Sequence, residues 1–570
     1  KTLTFYFFEL PVYSFVRGWF MPLLFFSLLA VVAIYATHNL EHLRTNPIHL
    51  QTLAPLRRHV AILAAILAVL IALGHFLDRY KLLLKNNGSQ LVAGAGYTDI
   101  NVTSRILLLN ATLMLIVAVA LLLNVRRLNL RLLFISVGLW FLSLFILTGI
   151  LPSIVERYVV KPNQLTRESP YLQYNIDATR KAFGLDNIEV RDFGPVNPLT
   201  ADDLNENADA LTNIRLWDYR VLPDNYEQLQ ALRPYYRFGD VDIDRYEVDG
   251  VTRQVMLAVR ELNKSALGNQ SWENVHLEFT HGYGLVMNPV DRFTRDGQPE
   301  FFISDIPPVS TTEIEVTRPE IYYGERNSAD DIVFVGSPRG EFDYPFGETN
   351  ERTNYTGTGG VPMGGFLRKL AFAIRFGEIN TLINNDITPE TRVMFNRNVV
   401  DRIKQITPDG FMLLDADPYV VVADGQIYWM VDAYTVSDSY PYSGGTQSGI
   451  NYIRNAAKIV VNAYDGSVTY YLVDQQDPLV STYARAFPSL FRPLSEMPAS
   501  LQAHIRYPEQ MFRVQAGQYL KYHMTDLNVF FNKEDLWAIP KETFKENDST
   551  EMEPYYVNLT LPGEDGSEYL

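Results

Sequence analysis

The stretch Val60-Ala-Ile-Leu-Ala-Ala-Ile-Leu-Ala-Val-Leu-Ile-Ala-Leu-Gly-His-Phe-Leu77 contains 18 residues and no Asp, Glu, Lys or Arg. Three similar apolar runs lie within the first 151 residues: Phe20–Ala36, Ile106–Leu123 and Leu132–Leu151. Each has close to the ~20 helical residues that cross a hydrocarbon layer of ~30 Å. A helix that is apolar on every face is buried in a protein core or in a membrane. The length of these runs favours the membrane, so they predict four transmembrane helices.

The sign of the charge changes after these runs. Residues 1–160 contain 13 Lys and Arg against 5 Asp and Glu, whereas the remainder contains 36 basic and 60 acidic residues. An acidic region repels nucleic-acid phosphates, so we expect no nucleic-acid partner. The absence of cysteine excludes disulfides, thiol catalysis and cysteine-ligated metal centres. We predict a multi-pass cell-membrane protein with a transmembrane region over 1–160 and a soluble domain over 161–570.

The connections between the apolar runs predict the orientation of the chain in the membrane. The short connection between the third and fourth runs carries three arginines between positions 126 and 131. Such basic loops face the cytoplasm, which places residues 161–570 outside. Three basic residues between positions 79 and 85 oppose this orientation. A compact charge cluster next to two spans constrains the topology more strongly, so we expect an extracytoplasmic domain.

Residues after 160 combine strand and helix signals. Asp-Gly pairs fit tight type I′ hairpins, because both central residues of such turns have positive φ. Three pairs lie between strand-like runs: Asp249-Gly250, Asp424-Gly425 and Asp465-Gly466. Helices are predicted from Ser169-Pro170 onward and over Gly365–Phe376, Pro389–Gln405 and Pro508–His523. The predicted fold class is therefore α-helical transmembrane segments followed by a large α+β extracytoplasmic domain with β-hairpins. We expect two lobes in this domain, dividing near 350–365.

Several longer motifs carry a family resemblance. They include Tyr158-Val-Val-Lys-Pro-Asn-Gln-Leu165, Glu168-Ser-Pro-Tyr-Leu-Gln-Tyr-Asn-Ile176, Thr280-His-Gly-Tyr-Gly284, Arg318-Pro-Glu-Ile-Tyr-Tyr-Gly324, Gly359-Gly-Val-Pro-Met363, Asp415-Ala-Asp-Pro-Tyr419 and Phe531-Asn-Lys-Glu-Asp-Leu-Trp537. Together they resemble the large bacterial multi-pass membrane proteins of uncharacterised protein family (UPF) number one hundred and eighty-two. The resemblance implies about seven spans in the full protein, three of them before Lys1, so we expect the sequence to be part of a longer chain. It implies no established reaction, substrate, cofactor or catalytic residue.

Histidines are the first candidates for chemistry. His38 and His42 flank Glu41 at i, i+4 spacing and His49 follows, a pattern that can bind a metal on one helix face. Histidine is also simply tolerated at a membrane border. His281 follows a strand-like run and has glycine on one side, so it could act as a general base or ligand. The alternative interpretation is that His281 is a hydrogen-bonded turn residue, since no nucleophile can be paired with it and Ser271 belongs to no recognisable triad.

Other patterns are weaker. The glycine-rich loop Gly357–Gly365 precedes a helix but lacks the lysine of a phosphate-binding loop, so we expect a hinge. A group of aspartates could bind calcium but does not have EF-hand spacing: Asp415, Asp417, Asp424, Asp432 and Asp438. Tyrosines over Tyr434–Tyr442 could stack on sugars or pack in a core. We therefore assign no catalytic residue, no metal site and no cofactor.

Two classes of function remain. The preferred hypothesis is an envelope binding or assembly factor that acts through its ectodomain, with the lipid bilayer and envelope proteins or polymers as partners. The alternative is a membrane-bound enzyme or transporter that acts on an envelope substrate. Transporters place ionisable residues inside their spans. The four predicted runs contain His75 and Asn110 as their main polar interruptions, which favours the first hypothesis.

Overall fold

The structure is a computed structural model. It describes residues 1–38, 54–85, 92–126, 130–192, 194, 200–206, 211–328, 330–347, 349–544, 548–561, 564 and 567–570.

Four helices in these residues are long and apolar enough to cross a membrane: Phe5–Thr37, Ala54–Leu84, Asp99–Val125 and Arg131–Ala182. They contain the four predicted runs but extend beyond them. The first helix starts fifteen residues before the predicted boundary at Phe20, and therefore includes Arg17. The prediction of a helix start at Ser169-Pro170 is wrong. The helix already covers this position, and the Ser169 hydroxyl donates to the carbonyl of Leu165 instead of capping.

Small side chains and one asparagine join the apolar helices. Alanines of the second and third helices share a buried cluster that also contains Met114 and Val117. Asn110 of the third helix accepts a hydrogen bond from the Ser143 hydroxyl at 2.6 Å and donates to the Thr148 hydroxyl at 3.1 Å. Both partners lie on the fourth helix. Close backbone approach and hydrogen bonds between helices are the usual means by which membrane helices associate.

The chain forms two compact units. The helical unit comprises Lys1–Glu189, Val436–Ile453 and Val514–Met552. The sheet unit comprises Val190–Thr435, Arg454–Arg513 and Glu553–Leu570.

Two six-stranded sheets dominate the mixed region. The first contains the strands Tyr236–Phe238, Asp242–Val248, Val251–Leu262, Leu285–Pro289, Ile303–Ser304 and Val309–Ser310. The second contains Leu413–Leu414, Tyr419–Ala423, Gln426–Ser437, Tyr452–Asn462, Val468–Leu472 and Phe491–Pro493. Residues from both sheets share one buried apolar core, in which Leu257, Trp429 and Ile459 are almost inaccessible to solvent. This core holds the sheet unit together.

Smaller elements complete the described part of this region. A three-stranded sheet contains Val333–Val335, Arg392–Met394 and Val361–Pro362, and four two-stranded pairs are Gly282–Tyr283 with Glu320–Ile321, Glu341–Phe346 with Thr349–Thr353, Lys541–Phe544 with Asp548–Glu551, and Asn558–Leu559 with Glu568–Tyr569. The α-helices are Ala201–Glu206, Leu222–Gln230, Phe366–Phe376, Asn380–Ile383, Val399–Ile406, Pro478–Ala486, Ala499–Gln502, Glu509–Tyr522 and Leu527–Asn532. The predicted combination of apolar helices with a mixed helix and sheet region is confirmed.

Two of the Asp-Gly hairpins have the predicted two-residue turn. Asp249 and Gly250 have φ of 53° and 74°, and Asp424 and Gly425 have φ of 50° and 74°. The third turn is longer, because Val461 pairs with Val468 and six residues separate them. The Asn462 side chain accepts the backbone N–H of the two residues before Gly466, so local hydrogen bonds shape this turn. Only Gly466 has positive φ there, at 68°.

The predicted helix Pro389–Gln405 is wrong over its first half. Residues Arg392–Met394 form the central strand of the three-stranded sheet, where Val393 and Met394 are fully buried. The helix starts only at Val399, and the Asn398 side chain caps it by accepting the backbone N–H of Asp401. Tertiary burial overrides helix propensity at this position. The other two helices lie within the predicted bounds, at Phe366–Phe376 and Glu509–Tyr522.

Candidate functional site

The sheet unit contains an open cleft of about 960 Å³. This volume lies within the range of sites for small ligands. Both Asp-Gly hairpins contribute part of its wall, the first through Arg245–Glu247 and Thr252 and the second through Val422–Gly425. The residues that line the cleft are Arg245, Tyr246, Glu247, Thr252, Glu313, Ile314, Glu315, Thr317, Val422, Ala423, Asp424, Gly425, Ser500, Ala503, His504, Asn558, Ser567, Glu568 and Tyr569.

His504 of this wall pairs with a carboxylate that is buried behind it. The Nδ1 atom of His504 is 2.7 Å from Oδ2 of Asp244, and the two residues are 6% and 1% exposed. The other oxygen of Asp244 accepts the backbone N–H of Arg245 at 2.8 Å. The imidazole also packs against the ring of Tyr246, with centroids 4.5 Å apart. These contacts fix the ring, and Nε2 is the nitrogen that remains for chemistry or for a ligand.

The electrostatic character of the cleft is acidic. Five of its residues carry exposed carboxylates: Glu247, Glu313, Glu315, Asp424 and Glu568. Arg245 is the one lysine or arginine among the lining residues. Its guanidinium is engaged by the protein, since Nη2 donates to the Ile505 carbonyl at 2.7 Å and the group lies 4.6 Å from the ring of Tyr569. The wall therefore favours a ligand with positive charge.

A second acidic group lies elsewhere in the sheet unit. One carboxylate oxygen from each of Asp240, Glu325 and Asp417 lies within 4.8 Å of the others. Burial and the neighbouring Asp240 raise the pKa of Glu325 to about 11, and the same two causes raise the pKa of Asp417 to about 7. Carboxyls this close must share protons or bind a cation. Oxygen ligands of this kind suit Mg²⁺ or Ca²⁺, although a cluster of carboxylates alone assigns no ion.

His281 is not in an open site. Its side chain is 1% exposed, and its Nδ1 lies 3.0 Å from the carbonyl of Gly282. The Nε2 atom has no partner among the described residues. Burial lowers the pKa of His281 to about 4, so the imidazole is neutral near pH 7. Ser271 is exposed and accepts a backbone N–H of its own turn. The structure therefore favours the structural interpretation of His281.

The glycine-rich loop is filled by a side chain of the protein itself. Arg392 donates to the carbonyls of Thr358, Gly359 and Gly360, at distances between 2.5 and 2.9 Å. The backbone N–H of Gly359 donates to the Tyr355 hydroxyl at 2.8 Å. Because these contacts satisfy the loop internally, it resembles a packed turn before the helix Phe366–Phe376 and not a phosphate cradle.

The five aspartates of the calcium hypothesis do not converge. Asp417 belongs to the acidic group described above, and Asp424 lies in a hairpin turn where it accepts the Ser500 hydroxyl. Asp415 accepts the Tyr434 hydroxyl, and Asp432 pairs with Lys458 at 2.6 Å. Asp438 accepts the hydroxyl of its neighbour Ser439. Turn and core contacts explain four of the five.

Two sequence patterns remain, the tyrosines of Tyr434–Tyr442 and the histidines around His38. Tyr434 and Tyr440 are buried, and Tyr440 stacks on Tyr452 with centroids 5.7 Å apart, as expected for core packing. Glu41, His42 and His49 lie outside the described residues, so the metal pattern around His38 stays a prediction. No local pattern in the sequence indicates the pair of Asp244 and His504, because 260 positions separate the two residues.

The whole chain is similar to proteins of one known family. A family model described as "Uncharacterised protein family (UPF0182)" matches residues 1–570. The chain belongs to UPF0182. Curated UPF0182 proteins are 44% identical in Desulforamulus reducens, 43% in Pelotomaculum thermopropionicum and 40% in Trichodesmium erythraeum. These alignments cover 99–100% of the present chain. The family resemblance predicted from the motifs is confirmed.

The UPF0182 chain spans about three fifths of these relatives, since it covers 61%, 61% and 63% of their lengths. No solved structure matches the chain. The family name carries no activity, so the cleft and the helices of this chain are the features that bear on its function.

Proposed function

We propose that this UPF0182 protein is a multi-pass membrane protein whose sheet unit lies outside the cytoplasm and binds a positively charged ligand in the acidic cleft. The observation that carries the proposal is the cleft of about 960 Å³ with five exposed carboxylates and one engaged arginine. The basic connection around Arg131 supports the orientation. An amine-bearing envelope polymer or protein segment has the required charge, which agrees with a binding or assembly role.

The binding claim is tested with spermine, a tetravalent amine, by calorimetry on the full-length protein in detergent at low salt. The triple variant Glu313→Gln, Glu315→Gln, Glu568→Gln removes three exposed charges of the cleft. The matched control is Glu390→Gln, Asp409→Asn, Glu496→Gln, which removes three exposed charges elsewhere in the sheet unit.

We expect the cleft variant to lose at least tenfold in affinity for spermine and the control variant to retain it. Salt should weaken binding to the unmodified protein, because exposed charges are screened over about 8 Å at physiological ionic strength. Equal losses in both variants, or no binding by the unmodified protein, would contradict the proposal.

A second candidate function is hydrolysis of the bound ligand, with His504 as general base. It is favoured by one observation, the 2.7 Å contact that orients the imidazole towards Asp244. The variant His504→Gln separates the two functions in a strain that lacks the protein. If the cleft only binds, this variant restores the strain. If His504 acts as a base, the His504→Gln variant binds spermine normally but fails to restore the strain.

A further inference from the structure

The helix Phe366–Phe376 has two apolar faces, and the fold buries one of them. Phe372 and Phe376 pack against the apolar cluster that contains Phe334. The centroids of their rings lie 6.0 and 5.8 Å from the ring centroid of Phe395. These contacts attach one side of the helix to the sheet unit.

The opposite side of this helix is also apolar, but it is exposed. Phe366, Leu367 and Ile374 are 65%, 79% and 73% exposed. An α-helix has 3.6 residues per turn, so these three positions lie within about 100° of one another around the helix axis. We call these three residues the outer face. An exposed apolar face of this kind marks a surface that contacts another protein or a membrane.

The next helix adds to the exposed apolar surface. Asn380–Ile383 contacts the helix Phe366–Phe376, and its residue Ile383 is 63% exposed. Ile379, which precedes this second helix, is 61% exposed. Single exposed apolar side chains are normal on a protein surface, whereas five large ones on two contacting helices indicate a partner.

Basic residues border the outer face. The helix Phe366–Phe376 contains three basic residues and no acidic residue, although the residues after position 160 include 36 basic and 60 acidic ones. Arg368 and Arg375 are exposed and directly follow Leu367 and Ile374. Because the two arginines are seven residues apart, they lie on the same edge of the outer face. This edge is a local positive charge on an acidic unit, and it is complementary to an anionic surface.

Contacts within the protein orient both arginines but leave donors unused. Nη1 of Arg368 donates to the carbonyl of Pro362 at 3.0 Å, and the guanidinium of Arg375 lies 5.3 Å from the ring centroid of Phe395. A guanidinium carries five N–H donors in a planar arrangement that matches phosphate oxygens. Each arginine therefore keeps donors for the phosphate of a lipid headgroup.

We propose that the outer face docks on the surface of a bilayer that contains anionic lipid. The apolar side chains enter the boundary between headgroups and acyl chains, and Arg368 and Arg375 lie among the phosphates, as in helices that bind in the plane of a membrane. A second copy of the chain suits this face less well, because a symmetric contact would bring the arginines of both copies together. The inference rests on the membrane location given in the proposed function, but it is independent of the cleft.

The test uses the full-length protein, which has no cysteine, in liposomes. Leu367→Cys places a thiol on the outer face, and the matched control Phe293→Cys places one at another exposed apolar residue of the sheet unit. Each thiol carries the environment-sensitive dye NBD, and lipids with a nitroxide on the acyl chain quench the dye where it enters the bilayer. Quenching is compared in phosphatidylcholine with and without phosphatidylglycerol.

A second set of variants tests the charge in the Leu367→Cys background. Arg368→Gln with Arg375→Gln removes the basic edge, and Arg233→Gln with Arg295→Gln removes two exposed charges elsewhere in the sheet unit. Flotation of every variant with the liposomes after an alkaline wash shows separately whether the apolar helices are inserted. Failure of flotation contradicts the membrane location in the proposed function, whereas loss of quenching in protein that floats contradicts only the present inference.

We expect the dye at position 367 to be quenched at least twofold more strongly with phosphatidylglycerol than in phosphatidylcholine alone, and the dye at position 293 to remain unquenched. Since attraction to anionic lipid strengthens the binding of such helices, the variant without the basic edge should lose the effect of phosphatidylglycerol, and its control should keep it.

Three results would overturn the inference: no quenching at position 367 in protein that floats, equal quenching at both positions or in both lipid mixtures, and a charge variant that responds like its control. A dye at position 367 that is shielded from water but not quenched would identify a protein as the occupant, either a second copy or another segment, and would overturn the inference as well.

Discussion

The Nδ1 atom of His504 lies 2.7 Å from the Oδ2 atom of Asp244, although 260 positions separate the two residues in the chain. Asp244 belongs to the strand Asp242–Val248, and His504 follows the short helix Ala499–Gln502. The contact therefore joins the first sheet to a distant helix at the wall of the cleft. It links the stability of the sheet unit to the geometry of the candidate site.

This pair predicts the effect of Asp244→Asn. Both side chains are buried, and asparagine keeps only one of the two acceptor oxygens, so it cannot accept both the imidazole N–H and the backbone N–H of Arg245. Such an unpaired group costs about 1–3 kcal/mol. We expect a decrease of this size in the free energy of unfolding of the sheet unit, measured by urea unfolding followed by tryptophan fluorescence. The control Asp409→Asn changes an exposed residue and should leave the value unchanged. An equal effect of the two substitutions would contradict the role of the pair.

Two glycine turns provide a matched comparison. Gly250 and Gly466 both have positive φ, but a Cβ at Gly250 meets no atom within 4 Å, whereas a Cβ at Gly466 would lie 2.5 Å from the ring of Tyr323. Gly250→Ala should cost about 1–2 kcal/mol from the backbone alone. Gly466→Ala adds overpacking, which costs about 1–3 kcal/mol more. Urea unfolding checks the order of the two losses in the free energy of unfolding. A smaller loss for Gly466→Ala than for Gly250→Ala would contradict the turn geometry.

Glu261 predicts a pH dependence. Its side chain is 3% exposed, and burial raises its pKa to about 7, although its oxygens accept the backbone N–H groups of Glu325 and Arg326. The folded state therefore holds this proton more tightly than the unfolded state does. Its stabilising contribution is present below the unfolded pKa of 4.5 and is lost as the pH rises through about 7.

The variant Glu261→Gln isolates this contribution. A shift from 4.5 to about 7 corresponds to about 3 kcal/mol over the full titration. Relative to the unmodified protein, the variant should gain stability between pH 5 and pH 8, roughly across this window. Glu390→Gln, which changes an exposed carboxylate, should leave the slope unchanged. If the stability curves of the unmodified protein and Glu261→Gln run parallel with pH, this carboxyl is not the source of the pH dependence.

The orientation is open to direct labelling, since the chain has no cysteine. Single cysteines replace Asn129, in the basic connection, and Glu390, an exposed residue of the sheet unit. An impermeant thiol reagent added to intact cells should label position 390 and leave position 129 unlabelled until the membrane is permeabilised. The reverse pattern would place the sheet unit in the cytoplasm and overturn the proposed location.

Local signals in the sequence predicted local structure well. The four apolar runs recur as four helices, and Asp249-Gly250 and Asp424-Gly425 form the predicted turns, because length, composition and positive φ act within a few residues. The helix prediction over Pro389–Gln405 was wrong because contacts with distant parts of the chain determine the structure there. Burial of Val393 and Met394 between strands from other parts of the chain determined the structure there.

The candidate sites depend on distant residues and were therefore missed. Asp244 and His504 meet only after the sheet unit folds. Arg17 lies before the predicted start of the first span at Phe20, and no sequence pattern places it beside Leu70 and Gly74. Its position weakens the sequence argument that the spans lack ionisable residues.

The central claim is that the sheet unit binds a cationic ligand in its acidic cleft, and hydrogen exchange of the full-length protein with and without spermine tests it most directly. We predict slower exchange of backbone amides around Arg245–Glu247, Glu313–Thr317 and Val422–Gly425, which line the cleft. The triple variant Glu313→Gln, Glu315→Gln, Glu568→Gln should show no such protection. Unchanged exchange in all three segments of the unmodified protein, or protection that persists in the triple variant, would contradict the claim.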